Sequence, residues 1–289
     1  MALHAQPTGG VDITRFAVRD GQRLSYESSG ATDAIPVVAL HDLLGDRAQL
    51  APLRDRLLAA GWRVTLPDAR GHGASPTISS RIYPPTQLAA DTLAILDAEG
   101  LSSFHVVAIG WSAATALTLA AIGPRQVSSL VLVAPYLPTL LVDHSGAEAS
   151  EVGAAHASAL REAATAASKG LTDRALDLVL DARVGAGWQS RLSRPRLGAI
   201  RRAAANLGPL LAGVDASPPN HDAVRHVSAP TTLVTSAVAP PVERWTVDTL
   251  ALLLPRARVA TIPADQTGDG PLSPARIDAI AQALADGDQ

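Results

Sequence analysis

Short apolar runs alternate with amphipathic stretches along most of the chain. The runs have the length of single strands, and several are apolar at nearly every position rather than at every second one. This pattern is typical of strands that are covered on both faces, as in a parallel sheet. The predicted strands of this kind are Pro36–Leu40, Trp62–Leu66, Phe104–Ile109, Val127–Ala134, Thr231–Ser236 and Arg258–Ile262.

Segments with helical spacing lie between those runs. Gly61 and Gly100 each follow such a segment, at the position where glycine commonly ends a helix. Near the N-terminus, Asp20-Gly21 separates two short runs and favours a two-residue β-hairpin turn. The alternation of strand and helix predicts an α/β fold with a mostly parallel sheet and right-handed crossovers. The predicted helices are Leu50–Ala60, Gln87–Glu99, the run that ends at Ile122, Val242–Leu254 and Pro274–Ala285.

The alternation stops between about Tyr136 and Asn220. This stretch contains Ala-rich helical runs and shows no strand pattern. Residues 1–135 and 221–289 are therefore predicted to form the α/β core. Residues 136–220 are predicted to form an inserted helical lid over the carboxyl ends of the strands, where such sheets bind ligands.

The composition fits one α/β domain and bears on which partners the chain could have. The chain has 289 residues, of which 47% are hydrophobic, enough to cover both faces of a sheet. Its 24 basic and 27 acidic side chains are scattered, with a net charge of −3. We therefore expect no nucleic-acid partner and no anionic membrane surface as a partner, while a homodimer is possible.

Cysteine content and the first residues bear on the compartment. The chain has no cysteine, which excludes disulfides, thiolate metal sites and a cysteine nucleophile. The N-terminal residues lack the basic and apolar regions of a secretory signal, and the apolar runs are too short to span a membrane. These features predict a cytoplasmic location.

The most informative segment is Gly110–Ala114, with the sequence Gly-Trp-Ser-Ala-Ala, between a buried strand and a helix. It fits the G-x-S-x-G/A pattern of a nucleophile elbow, a sharp turn that demands small residues on either side of its central serine. We expect the turn to raise the Ser112 hydroxyl above the sheet. We expect the amide of Ala113 to face the site from the helix N-terminus, as an oxyanion donor.

Together with three other motifs, this elbow makes the whole chain resemble the α/β-hydrolase superfamily, in the branch of lidded esterases, lactonases and C–C hydrolases. His41 opens the loop that in the family begins with His-Gly and supplies the second oxyanion amide, which here would come from Leu43. The segment Asp68–Ser75 matches the family pattern D-x-R-G-x-G-x-S, and Asp91 lies in the helix before the elbow strand. The resemblance implies an α/β-hydrolase fold with an inserted lid.

The chain departs from that family at the catalytic partners. The position of the family's acid falls on Ala239, and that of its histidine falls on Thr267. No histidine follows His226, so a small shift in alignment cannot restore the base. Asp42 stands where the family has glycine, which places a carboxylate beside a pocket that normally stabilises a developing anion.

Ser112 needs a base within hydrogen-bond reach to act as a nucleophile, because a serine hydroxyl is nearly inert at its free pKa. One alternative is that the serine is kept only because the turn wants a small residue. Another is that a lid histidine, His144 or His156, folds over it. Asp42, and with it Asp265 and Asp269, are candidate bases at the pocket mouth. Burial under an apolar lid is expected to raise the pKa of Asp42 and suit it to proton transfer.

Two of the four tryptophans are candidate pocket residues. Trp111 neighbours the elbow and could either line the pocket or, equally, pack under the lid, and Trp188 could cover the pocket from above. The His and Glu spacing of a metal-binding helix is absent, as is a phosphate-binding glycine motif. We therefore expect no metal and no cofactor.

Three functional classes remain. The chain could be a serine esterase or lactonase with relocated partners, or a catalytically silent binding protein. It could also be an enzyme that uses the lidded pocket for non-hydrolytic chemistry on an apolar metabolite: cyclisation, C–C bond formation, isomerisation or elimination. The resemblance permits that last use in bacterial secondary metabolism, including natural-product biosynthesis. The loss of both partners, with the elbow and lid kept, favours it.

Overall fold

A computed structural model describes residues 14–75, 82–216, 219–264 and 272–287 of the chain. Eight strands form one sheet in the order β1-β2-β4-β3-β5-β6-β7-β8. The first two strands pair antiparallel with their neighbours, and the remaining pairs are parallel, as the sequence predicted. The strands are β1 (Thr14–Arg19), β2 (Gln22–Ser29), β3 (Pro36–Leu40), β4 (Arg63–Pro67), β5 (Phe104–Ile109), β6 (Val127–Val133), β7 (Thr231–Ser236) and β8 (Ala257–Ile262).

Helices cover both faces of this sheet. On one face, α1 (Ala51–Ala59) and α11 (Pro274–Gly287) pack their leucines and isoleucines against the sheet. On the other face lie α2 (Pro85–Ala98), α3 (Ala113–Ile122) and α10 (Pro241–Leu253). The fold is therefore the mostly parallel α/β sheet that the alternation of strand and helix predicted, and it is the α/β-hydrolase fold that the resemblance implied.

Strand β5 shows why the central strands are apolar at every position. All six of its residues are buried, because both faces of the sheet are covered. Val106 and Ala108 belong to the core under α2, α3 and α10, whereas Val107 and Ile109 belong to the core under α1 and α11. Alternate side chains thus enter opposite cores, as the pleat of a strand requires.

The hairpin between β1 and β2 is confirmed. Asp20 and Gly21 have φ angles of 51° and 74°, and Arg19 pairs with Gln22 across the turn. Two consecutive residues with positive φ give the turn type whose twist matches that of the flanking strands. This turn is the feature that the Asp-Gly dipeptide predicts.

A block of helices lies between β6 and β7. Its members pack with the loops at the carboxyl ends of the strands: Arg196 Nη1 donates to the carbonyl of Leu44 at 3.2 Å, and the Asn206 amide donates to the carbonyl of Gly71. The exact division of the chain at residues 135/136 and 220/221 stays a prediction. The helices are α4 (Pro138–Leu141), α5 (Ala147–Ser168), α6 (Thr172–Val184), α7 (Arg194–Ala203), α8 (Leu207–Ala216) and α9 (His221–Arg225).

Helix length also bears on membrane association. Within the parts of the chain that the structure describes, no helix combines the length and apolarity that a membrane crossing requires.

Candidate active site

The elbow between β5 and α3 is centred on Gly110 rather than on Ser112. Gly110 has φ of +57°, whereas Ser112 has φ of −67° in the ordinary helical region. In a nucleophile elbow the strained residue at the turn is the nucleophile itself. The small residues on either side of that position are here Ala108 and Ser112. The sequence prediction therefore placed the elbow two residues too far along the chain.

Ser112 is held by the main chain. Its Oγ accepts a hydrogen bond from the amide of Ile109 at 2.9 Å. The same oxygen lies 3.1 Å from the carbonyl of Leu40 and 3.0 Å from that of Ile109, where its hydroxyl donates. The expectation that the turn raises this hydroxyl above the sheet is wrong, because the hydroxyl ties β3 to β5 instead.

Ala113 also differs from the prediction. Its amide donates to the carbonyls of Gly110 and Trp111 within the turn, so it does not face the site as an oxyanion donor. The amide that follows the true elbow residue belongs to Trp111. The second oxyanion amide, from Leu43, was predicted from the motif.

A carboxylate occupies the place between those two amides. Asp42 Oδ1 accepts from the amide of Leu43 at 2.8 Å and from the amide of Trp111 at 3.0 Å. Its other oxygen, Oδ2, lies 2.6 Å from Nη1 of Arg183 in α6. The two donors that would stabilise an oxyanion are therefore engaged by an anion of the protein itself.

The same ion pair fills the space of a nucleophile side chain. A Cβ atom added at Gly110 would lie 2.6 Å from Asp42 Oδ1 and 2.8 Å from Asp42 Cγ, and would overlap the guanidinium of Arg183. Glycine is thus required twice at this position, for its positive φ and for its missing side chain. The residue at the centre of the elbow therefore carries no side chain.

The pKa of Asp42 is lowered, contrary to the prediction that it would rise. Burial is the largest single influence and would raise this pKa, as the sequence argument assumed. The charge of Arg183 and the hydrogen bonds from Trp111, Leu43 and Arg183 together outweigh burial. Arg183, a lid residue that the sequence argument did not include, therefore reverses the direction of the Asp42 pKa shift. Asp42 is therefore an ionised, fully engaged carboxylate at neutral pH.

An aromatic pair supports the Arg183 guanidinium. Arg183 Cζ lies 5.1 Å from the ring centroid of Tyr136, a cation–π contact, and Tyr136 stacks on Trp111 at 5.8 Å. The hydroxyl of Tyr136 lies 3.0 Å from Nδ1 of His156 in α5. Burial raises the pKa of Tyr136 and lowers that of His156. The Trp111 ring packs beneath the lid and does not line the cavity of about 370 Å³ between the lid and the sheet.

Neither lid histidine completes a site with Ser112. His156 contacts Tyr136 through its ring and its Nδ1. His144 accepts a hydrogen bond from the amide of Gly146 at 2.9 Å and packs against Trp245. The described contacts of both histidines are thus within the lid and its neighbours.

Two buried histidines hold the loop that carries Asp42. His41 Nε2 accepts from the amide of Ala69 at 3.0 Å, so its Nδ1 carries the proton and donates to the carbonyl of Asp42 at 2.8 Å. His72 Nε2 lies 2.5 Å from the carbonyl of Leu43. Burial, with a smaller effect of His41, lowers the pKa of His72 to about 4. His41 therefore positions the loop. It is not among the residues that line the cavity of about 370 Å³ between the lid and the sheet.

A cavity of about 370 Å³ lies between the lid and the carboxyl ends of β6 and β7. This volume is within the range of small-molecule sites. Asp42 borders it at one end, and Trp188 lines it from the lid as expected, with 3% of its surface exposed. Ser112 instead borders a separate cavity of about 50 Å³ under the Asp42 loop, which is too small for a substrate.

The structure locates one of the two positions at which the resemblance places the family's catalytic acid and histidine. Ala239 follows β7 and lines the large cavity, where it brings no ionisable group. Thr267, Asp265 and Asp269 lie outside the described residues. Glu243 in the first turn of α10 lines the same cavity, is 7% exposed, and accepts a hydrogen bond from Thr235 Oγ1 at 2.7 Å.

Sequence reasoning missed four residues that shape this site: Gly110, Tyr136, Arg183 and Glu243. An alternative reading of the elbow as Ala108-Ile109-Gly110-Trp111-Ser112, with a small residue two positions on each side of the centre, would have indicated Gly110. Glu243 lies four residues after the expected acid position. No local sequence pattern indicated Arg183, because its partner Asp42 is distant in sequence. Among the described residues, no group of three His, Asp or Glu side chains is placed to hold a metal.

Comparisons with known proteins bear on the fold and the family of the chain. A family model described as the alpha/beta hydrolase fold matches residues 35–178. A protein of Variovorax paradoxus (strain S110) named "Putative carbamate hydrolase RutD" is 37% identical over 110 residues. That match covers 38% of this chain and 41% of the relative, so the chain spans about two fifths of the relative's length.

Solved structures share the fold over nearly the whole chain. An alpha/beta hydrolase from Sphaerobacter thermophilus DSM 20745 has a TM-score of 0.74 and 24% identity, covering 96% of this chain and 100% of its own. The enol-lactonase from Burkholderia xenovorans LB400 has a TM-score of 0.68 and 20% identity, covering 94% and 99%. At these identities the likeness concerns the fold alone.

Proposed function

Because the chain belongs to the α/β-hydrolase superfamily, we propose that it is an enzyme of that fold that acts on a small molecule without forming an acyl-enzyme. The substrate site in this proposal is the cavity of about 370 Å³ under the lid. The reaction is non-hydrolytic: a cyclisation, C–C bond formation, isomerisation or elimination. The setting is bacterial secondary metabolism.

One observation carries the proposal: the Asp42 carboxylate accepts from both oxyanion amides, at 2.8 and 3.0 Å. Acyl transfer needs those donors for the negative charge that develops on the substrate's carbonyl oxygen. A resident carboxylate excludes that oxygen by occupancy and opposes it by charge. For the site to stabilise an oxyanion, Asp42 would have to leave the amides and Arg183 together.

The elbow supports the same conclusion independently. Gly110 offers no nucleophile, and the Ser112 hydroxyl is bonded to main-chain atoms of β3 and β5. Serine catalysis also requires a base to remove the hydroxyl proton. The described contacts of Ser112 include no imidazole and no carboxylate.

The chemistry then falls to groups that line the cavity. Asp42 is held ionised by Arg183 and by two amides, so it is a weak base that serves best as a fixed charge. Glu243 is a buried carboxylate in the same cavity, with Thr235 as its hydrogen-bond donor. In this proposal Glu243 moves the proton to or from the substrate, and the cavity supplies orientation.

A second candidate function is hydrolysis, favoured by the 37% identity to a protein named as a carbamate hydrolase. It would require a water molecule as the nucleophile, since the elbow provides none. Assays with p-nitrophenyl acetate, p-nitrophenyl butyrate and a p-nitrophenyl carbamate separate the two candidates. The proposal predicts rates near those of the uncatalysed reactions. Saturable turnover of one of these compounds that Glu243→Gln abolishes would replace the proposal with hydrolysis.

A third candidate function is that of a binding protein without catalytic activity. Incubation of the enzyme with a small-molecule extract of bacteria, followed by mass-spectrometric profiling, tests for consumption of any compound. We expect a compound to be consumed by the unaltered protein and by Ser112→Ala, and to persist with Glu243→Gln. Retention of a compound with no conversion would indicate a binding protein instead. A gene neighbourhood of biosynthetic enzymes would support the proposed setting.

A further inference from the structure

Positive charge is concentrated in one part of the lid. Residues 182–214 include six arginines and no aspartate or glutamate, although the whole chain has a net charge of −3. Helix α7 lies in the middle of this stretch, and three of its arginines are exposed: Arg194, Arg201 and Arg202. In the parts of the chain that the structure describes, none of the three has an ion-pair partner.

The three arginines lie on one side of α7, called here the outer face. Arg194 and Arg201 are seven residues apart, which places them about 20° apart around the helix axis and about 10 Å apart along it. Arg202 Nη1 is 3.4 Å from the position that a Cβ would take at Gly198, which lies between the other two along the helix. On the other side of the helix, Ile200 is buried and lines the cavity of about 370 Å³.

Helix stability explains only some of these charges. A cation is favourable in the last turn of a helix, where Arg201 and Arg202 lie, because the carbonyl end of the helix dipole is negative. Arg194 is instead the first residue of α7, where the dipole disfavours a cation and favours an acidic side chain. The first turn contains no acidic residue. The positive charge of Arg194 therefore does not serve the helix that carries it.

The surroundings of the outer face favour a compact acidic partner. Without these three arginines the net charge of the chain would be −6 instead of −3, and Asp173 and Asp181 of the preceding helix α6 are exposed. Because α7 is only about 15 Å long, a nucleic acid or an anionic membrane would extend beyond it onto a surface that repels polyanions.

The side chains of α7 also disfavour those two extended partners. Its exposed residues are the three arginines and Pro195. They provide no aromatic ring on which a base could stack, and no large apolar side chain that could enter a membrane. A protein surface that presents carboxylates over the length of one helix fits the outer face better.

We propose that the outer face of α7 docks an acidic α-helix of a partner protein, whose carboxylates pair with Arg194, Arg201 and Arg202. A helix laid along α7 can present carboxylates seven residues apart, which matches the spacing of about 10 Å between Arg194 and Arg201. Arginine suits such pairing because its planar guanidinium donates two parallel hydrogen bonds to a carboxylate. The docking surface lies outside the cavity and is independent of the reaction that takes place there.

Fluorescence anisotropy with the full-length protein tests this docking. The acidic probe is a labelled alanine-rich helical peptide of about 20 residues with glutamates repeated every seven positions, long enough to hold a helix in water. Its neutral counterpart has glutamine at the same positions. A labelled oligoadenylate RNA and, by co-sedimentation, phosphatidylglycerol vesicles represent the two extended polyanions.

The variants separate docking from folding. Arg194→Glu reverses the charge at a position where an acidic residue stabilises the helix, so it should not lower the melting temperature. A triple variant replaces Arg194, Arg201 and Arg202 by Gln. Arg125→Glu is the matched control, because Arg125 is exposed and precedes β6, at the ends of the strands opposite to the lid.

We expect the acidic peptide to bind at least about tenfold more tightly than the glutamine peptide, and less tightly as the ionic strength rises. Arg194→Glu should weaken this binding at least about fivefold, and the triple variant at least about tenfold. Arg125→Glu should change it less than about twofold, since a distant exposed charge is screened.

Three results would overturn the docking surface. The first is equal affinity for the two peptides, or no binding of either one in the millimolar range. The second is a loss in Arg125→Glu as large as that in Arg194→Glu, which would assign the attraction to net charge. The third is tighter binding of the RNA or of the vesicles than of the acidic peptide, because the outer face would then serve an extended polyanion and not a protein.

Discussion

Asp42 Oδ2 and Arg183 Nη1 lie 2.6 Å apart, and this contact joins the oxyanion loop of the core to the last turn of a lid helix. The pair lies where a nucleophile's side chain would stand, and one of its carboxylate oxygens accepts from both oxyanion amides. A single ion pair thus accounts for the glycine at the elbow, the occupied oxyanion site and the contact of the lid with the core.

The first prediction concerns the stability that this pair contributes. Asp42→Ala should lower the free energy of unfolding by about 3 kcal/mol, because it leaves the Arg183 guanidinium largely buried without its partner. We choose the lower end of the usual range because 18% of the Arg183 side chain is exposed. Chemical denaturation of the purified variant measures this loss.

A double-mutant cycle isolates the interaction between the two residues. Asp42→Ala with Arg183→Ala should cost less than the sum of the single variants, with a coupling of about 1–3 kcal/mol. The unrelated exposed pair Arg225–Asp222, in which both side chains are more than half exposed, serves as the control and should show little coupling. Strict additivity for Asp42 and Arg183 would contradict the account.

The second prediction is the acid sensitivity of the fold. The pKa of Asp42 is below its ordinary value of 3.8 in the folded protein, so in this window the unfolded chain binds more protons. The free energy of unfolding should therefore fall as the pH drops through about 3.8 toward the folded pKa. Asp42→Asn removes this contribution.

The stability difference between the unaltered protein and Asp42→Asn should accordingly shrink as the pH falls from about 5 to about 2. Buried His72, whose pKa is lowered to about 4, destabilises both proteins between its ordinary 6.5 and that value, and so cancels in the comparison. Urea denaturation at a series of pH values measures the difference, and a difference that stays constant with pH would mean that Asp42 has an ordinary pKa.

The third prediction concerns the elbow glycine. Gly110→Ala should destabilise the protein both through its φ of +57° and through overlap with the Asp42–Arg183 pair. Gly21→Ala is the matched control, because Gly21 has φ of +74° but no atom within 4 Å of an added Cβ. Backbone strain alone costs on the order of 1 kcal/mol. Gly110→Ala should lower the free energy of unfolding clearly more than Gly21→Ala does.

Restoring the family's glycine tests the cause of that extra cost. In the variant Gly110→Ala with Asp42→Gly, the carboxylate that the new Cβ meets is gone, so the double variant should lose less stability than the two single variants added together. Equal losses for Gly110→Ala and Gly21→Ala would show that overlap at the elbow plays no part.

The fold could be predicted from the sequence because its signals are local. The central strands are apolar on both faces, Asp20-Gly21 specifies a turn, and glycines end the helices. The candidate site was harder because its decisive contact is between distant residues. No local pattern connects Asp42 with Arg183, which is 141 positions away in the numbering, and the sign of the Asp42 pKa shift depends on that arginine.

The elbow was misplaced for a different reason. The segment Gly110–Ala114 contains a serine between small residues, and it matches the usual pattern as well as the correct centre does. Only the backbone angle of Gly110 separates the two alternatives. A motif that is defined by small residues does not fix the centre of the turn when small residues flank both candidate centres, which here are two positions apart.

The fourth prediction follows from the position of Ser112. Ser112→Ala should leave the reaction found by profiling intact and lower the free energy of unfolding by about 1 kcal/mol, the usual contribution of a hydrogen bond between a hydroxyl and the main chain. Asp42→Asn should reduce the activity more than Ser112→Ala does, because it alters a charge that borders the substrate cavity. A dead Ser112→Ala variant beside a fully active Asp42→Asn variant would reverse this assignment.

The central claim is that the protein forms no acyl-enzyme, and intact-protein mass spectrometry after incubation with a fluorophosphonate tests it most directly. A serine esterase with a complete triad, treated in parallel, confirms that the reagent is active. The account predicts an unmodified mass for this protein, because Gly110 offers no nucleophile and the Ser112 hydroxyl is bonded to the main chain. A stoichiometric adduct mapped to Ser112, together with ester turnover above about 1 s⁻¹, would contradict it.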